Sequence, residues 1–166
     1  MGPGDVFKLL SVLTHKPSVA AVKAVTVDQN TTSGSLIDIT ELSGFHVKAN
    51  RRYVFIGWLI SDVNDGDFSE FGLNAPGTPN AVHLNVVEFE GPGSDGATFR
   101  VSEATANNTA APTGVSVFFT RHFIVGYLDS GAAGPANFRF RAQTGGVGLD
   151  VTVQAGSWIA LFEVAE

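Results

Sequence analysis

The chain has no cysteine, and its only methionine is residue 1. Without thiols there is no disulfide, no zinc–thiolate centre and no cysteine nucleophile. A single methionine rules out a Met-rich adaptable binding surface. Charge is also scarce: 16% of residues are charged, against roughly 25% in a typical soluble domain. Scarce charge leaves much neutral surface, which suits either a subunit buried in an assembly or a Gly/Ala/Thr-rich β protein with polar loops. Lys and Arg number 10 against 16 acidic residues, for a net charge of −6, and Arg51-Arg52 is the only adjacent basic pair. Phosphate binding needs clustered cations, so nucleic acid is not an expected partner. No apolar run approaches the ~18 residues of a membrane span, so no membrane contact is expected. Val6 to Leu13 is apolar, but Lys8 interrupts it and Asp5 stands where a positive leader belongs, so it does not read as a signal peptide.

What is present is a 166-residue chain that is 44% hydrophobic, enough for one well-cored domain. From Val19 onward the pattern is β. Phe138, Phe140 and Ala142 alternate with Asn137, Arg139, Arg141 and Gln143, a half-buried strand of period two. Leu149, Val151 and Val153 form a second alternating strand. Ala155-Gly156 turns into a last apolar strand, Trp158 to Val164. Tyr53 to Ile60 is apolar on both faces, as is much of Val115 to Leu128, where Arg121 and His122 interrupt the run and suggest a bulge or a subunit contact. Strands are also expected at 22–27, 36–39, 45–47, 68–73, 82–89 and 98–101. Polar loops are expected at 29–34, 62–67 and 75–80, with a surface excursion at 103–114. Eight to ten short strands with turns between them predict an all-β antiparallel sandwich or jelly roll.

Residues 1–24 differ from the rest and are expected to form an N-terminal arm, with 25–166 as the jelly-roll domain. Asp5 suits a helix N-cap. Val6, Leu9, Leu10 and Leu13 then follow helical spacing, and Pro17 ends the helix. So short a helix needs a surface to dock on. Val6, Phe7, Leu9, Leu10 and Leu13 are therefore the candidate anchoring residues.

No catalytic constellation stands out, and neither an enzymatic activity nor a cofactor is expected. Asp62, Asn64, Asp65 and Asp67 superficially suggest a calcium loop, but Gly66-Asp67-Phe68-Ser69-Glu70 breaks the EF-hand spacing. His15, His46, His83 and His122 contain no i,i+2 or i,i+4 pair, so no local zinc site is read and no metal is expected. There is no Gly-x-Ser-x-Gly elbow, Walker loop or Rossmann fingerprint. Glu70, Glu88 and Glu90 could supply paired carboxylates, but Glu88 and Glu90 share one strand face, read here as the solvent side. Asn64, Asp65 and Asp67 form the candidate glycan-binding loop, since loop Asp and Asn side chains suit sugar hydroxyls.

Three segments carry a family resemblance. LSGFHVKANRRYVFIGWLI, FGLNAPGTPNAVHLNVVEF and FIVGYLDSGAAGPANFRFRAQTGGVGLDVTVQAGSWIALFEV resemble successive parts of a jelly-roll domain of tailed-bacteriophage structural proteins. The segments lie at 42–60, 71–89 and 123–164, and the resemblance covers roughly residues 25–164. They are also similar to the wider tumour-necrosis-factor-like and complement-globular-head-like jelly rolls, which are usually trimers. The resemblance implies a non-enzymatic virion component, either a capsid decoration (cement) protein at the capsid surface or a fibre tip. The absence of a collagen-like or coiled-coil shaft favours decoration. The partners implied are the major capsid protein and two further copies of the chain. The fibre-tip alternative implies a glycan or cell-surface receptor. Strands apolar on both faces give trimerisation a physical reason, because the second face needs cover. Trp58, Phe118, Arg121, His122, Arg139 and Arg141 are the candidate trimer contacts.

Overall fold

The computed structural model describes residues 18–63, 67–89, 99–112, 120–144 and 150–164. Thirteen strands and one 3-10 turn, Thr40–Leu42, are described. The strands are β1 (Ser18–Ala24), β2 (Gln29–Thr31), β3 (Ile37–Asp38), β4 (Phe45–Val47), β5 (Arg51–Val63), β6 (Asp67–Asn74) and β7 (Ala81–Phe89). They continue with β8 (Phe99–Ala104), β9 (Ala110–Pro112), β10 (Thr120–Ser130), β11 (Gly134–Thr144), β12 (Val151–Val153) and β13 (Trp158–Val164).

The fold is the all-β antiparallel sandwich expected. The larger sheet runs β1-β13-β5-β10-β7-β8, with β12 also on β5 and β2 beyond it. The smaller runs β3-β11-β6-β9, with β4 also on β11. With the β7–β8 hairpin and the short strands β2, β3 and β12 set aside, β1-β13-β5-β10 lies over β4-β11-β6-β9. In chain order that is first-eighth-third-sixth over second-seventh-fourth-fifth, the strand order of a jelly roll built from two Greek keys. The hairpin adds to the free edge of β10 and widens one sheet only.

The core lies between the sheets because alternate residues of each strand point inward. Tyr53, Phe55 and Leu59 of β5 meet Phe71 of β6 and Phe138 and Phe140 of β11, all buried. Phe55 and Phe45 both contact the Phe138 ring edge-on, with centroids 5.1 and 5.7 Å away. Each fully buried phenylalanine contributes on the order of 2–3 kcal/mol by area. Gly126 is in register with Phe55, and a Cβ there would come within 2.5 Å of the Phe55 ring. Only glycine leaves that ring its place.

Several expectations shift. Residues 18–24, assigned to the arm, form β1 and pair with β13. Gln29 to Thr31, expected in a loop, pair with β12. The excursion at 103–114 contains the end of β8 and all of β9. Asp62, expected in an acidic loop, lies within β5 and is in register with Thr152. No bulge occurs at Arg121-His122, since β10 keeps unbroken register with β5 and β7. The one irregularity in β1–β13 falls between Val19 and Ala21. Residues 113–119, where the long strand was expected to begin, lie outside the described residues, as does the expected helix at 5–16.

Candidate functional site

A continuous apolar row crosses the outward side of the larger sheet from β1 to β8. Cross-strand register places Ala24, Trp158, Trp58, Phe123, Val87 and Val101 in one row over β1, β13, β5, β10, β7 and β8. The next row is Val22, Ala160, Ile56 and Val125, ending in Asn85 and Glu103. The third is Val19, Phe162, Val54, Tyr127 and His83. Trp58 stacks on Phe89 at 5.4 Å and tilts against Phe123 at 6.3 Å. Val19, Val22 and Val101 are 62%, 61% and 65% exposed, and Trp158 is 37% exposed. Scattered exposed apolar residues are ordinary, but a contiguous patch of this kind marks a contact surface. One corner is polar: His83 stacks on Tyr127 and its Nε2 lies 3.4 Å from Glu103 and 3.3 Å from Asn85.

The outward side of the smaller sheet is polar and paired within the chain. The Arg139 guanidinium lies 2.8 Å from Asp38 and also donates to the Asn108 side chain and to the Leu36 carbonyl. Arg141 Nε donates to Glu70 at 2.5 Å, and Glu70 is only 4% exposed. Asn137 donates to Asp38 and accepts from the Gly44 amide.

A third feature lies inside the sandwich. His122 is fully buried. Its Nε2 sits 2.8 Å from Ser61 Oγ on β5 and 3.4 Å from Ser69 Oγ on β6, and the two serines are 3.2 Å apart. Phe71 packs edge-on against the imidazole at 4.9 Å. Nδ1 has no hydrogen-bond partner among the described residues. Burial pushes the imidazole down from 6.5 to about 3, because a charge is costly in the interior.

The expected contact residues therefore separate. Trp58 lies on the apolar face and Arg121 is exposed at its border. Arg139 and Arg141 lie on the opposite sheet, turned to their own carboxylates. His122 is no surface contact: it points between the sheets and offers nothing to another subunit. Glu88, read as solvent-facing, is 1% exposed and inward. The period of two had marked both, since His122 follows Leu128, Gly126 and Ile124 by steps of two, and Glu88 follows Val82, Leu84 and Val86. Val6, Phe7, Leu9, Leu10, Leu13, Asn64, Asp65, Glu90 and Phe118 lie outside the described residues, and only the backbone of Asp67 is described. The outer-face residues that sequence reasoning did not single out are Trp158, Val22, Phe123 and Val101. Alternation placed Trp158 on a strand, but only cross-strand register puts it beside Trp58. Among the described residues no group of three or more His, Asp or Glu side chains is placed to hold a metal ion.

No protein-family model matches the chain, and no curated protein matches it. The solved structures that overlap it include two from infectious bursal disease virus. The Gx-strain structure is 11% identical with a TM-score of 0.27, covering 90% of this chain and 41% of that one. The VP2 subviral particle is 11% identical with a TM-score of 0.28 and the same coverage. This chain spans about two fifths of the length of either. TM-scores this low carry no argument, so the fold stands on its own strand order.

Proposed function

We propose that the chain is a non-enzymatic structural protein of a virion, a capsid decoration (cement) protein that sits on the shell as a homotrimer and clamps subunits of the major capsid protein. The observation that carries this reading is the apolar row from Ala24 to Val101 across six strands of the larger sheet. The occupant it fits best is a second copy. Five strand spacings give a width of about 24 Å, and seven residues of strand give about 23 Å, so the face covers on the order of 600 Å². That approaches the ~800 Å² one partner gives to a standard interface. The sparse charge of the chain and the self-satisfied polar face opposite both favour this side. The jelly-roll order and the three sequence segments support the virion assignment.

The mechanism is mechanical. A protein that binds only the assembled shell stabilises it by mass action. Light scattering on the purified chain should give a mass of about 52 kDa, three times 17.4 kDa; a monomer at high concentration counts against the trimer. Particles lacking the protein should release their genome at lower temperature, and unchanged robustness sinks the cement role. Antibody labelling confined to a tail would replace the shell reading with a fibre-tip one.

A further inference from the structure

We propose that His122 is a neutral latch between the two sheets, and that taking up a proton there opens the sandwich where β6 meets β5 and β10. This is independent of the virion reading.

The imidazole belongs to the larger sheet, yet it touches Ser69 and Phe71 of the smaller one. It therefore joins the layers through a polar contact, while the core away from this end is built mostly of aliphatic and aromatic side chains. A neutral ring carries one N–H; on Nε2 it can donate to Ser61 Oγ, whereas on Nδ1 it would meet no acceptor among the described residues, so the Nε2–H tautomer is favoured. The proton added on acidification goes to Nδ1, where no acceptor stands among the described residues. The imidazolium is then a buried charge with one unmet donor, which the unfolded or opened chain can solvate.

The surrounding charges do not relieve this. Glu88, buried on β7, is in register with His122, and Arg100 on β8 is in register with Glu88. Asp67 lies two residues before Ser69 on β6. Asp62 on β5 and Arg121 on β10 belong to the outward set of their strands, and Glu70 on β6 turns outward to Arg141. Near this end β11 and β12 present Ala142, Val151 and Val153 to the core. Glu88 would raise the affinity of the ring for a proton, yet burial dominates and the ring is pushed down from 6.5 to about 3.

The sign follows. Between those two values the unfolded chain holds a proton that the folded chain does not, so stability is full above 6.5 and falls with pH. The folding constant drops about tenfold per pH unit from this one residue. Urea unfolding of the full chain at about pH 7.5 and about pH 5.0 should show wild type losing roughly thirtyfold more than His122→Gln, whose amide stays neutral. Equal losses in the two would overturn the latch. Should the variant not fold, the imidazole ¹³C shift of His122 in the wild type decides. A signal that stays neutral down to about pH 5.0 supports the latch, and a midpoint near 6.5 in the intact fold overturns it.

Discussion

The two outer faces of the sandwich are built from the same alternating strands and end up chemically opposite. On β11, outward Arg139 and Arg141 are held by Asp38 and Glu70 of their own chain. On β5, outward Val54, Ile56, Trp58 and Ile60 belong to a face with few such polar side chains. A face whose polar groups are satisfied internally gains little from a partner, since docking would exchange water for nothing better. A face of aromatic and β-branched side chains gains by every apolar area removed from water. The difference teaches where association should occur, and it can be tested by breaking each face separately.

The largest effect should come from the apolar face. Trp158→Lys combined with Val22→Glu places charges in two adjacent rows. Association should weaken by roughly 100-fold or more, as for loss of an aromatic anchor at an interface centre. Sedimentation should then show single chains with an unchanged circular dichroism spectrum; a surviving trimer would move the contact elsewhere. Next comes the polar face. Arg141→Met leaves Glu70 buried without its cation and should cost about 2–3 kcal/mol in urea unfolding, while the oligomer mass stays as in wild type. Arg139→Ala, a more exposed pair, should cost about 1 kcal/mol. The smallest effect belongs to the rim. Lys48 donates to Glu163 at 2.8 Å, and this bond raises the Lys48 ammonium above its ordinary value. The pair is open to water, so Lys48→Ala should leave the melting temperature unchanged within error at high salt. A large loss there would erase the distinction between rim and face.

Much of the architecture was legible. Trp158 to Val164 is a strand with the bounds expected, and Phe138, Phe140 and Ala142 are buried as their alternation required. Gly156, in the expected turn before β13, and Asn50, in the turn before β5, both take positive φ, which Asn and Gly tolerate best. Legibility failed where residue chemistry and strand period disagreed. Glu88 is polar and reads as facing solvent, and His122 reads as a bulge or a subunit contact, but a strand cannot turn one side chain without turning all of them. Their burial is the period of two prevailing over individual polarity. The candidate face was half legible: β5 visibly had apolar residues on both sides, but nothing local says which side meets the other sheet.

The local pattern of the chain determined that it folds as antiparallel strands, which residues alternate inward, and where most turns fall, because these depend on neighbours two to four residues apart. Only the tertiary structure decided the strand order, the addition of the β7–β8 hairpin to β10, the row that joins Trp158 to Trp58, and the meeting of His122 with Ser61 and Ser69. Those features depend on register between strands far apart in the chain. Register is set by how two whole faces pack and not by any stretch alone.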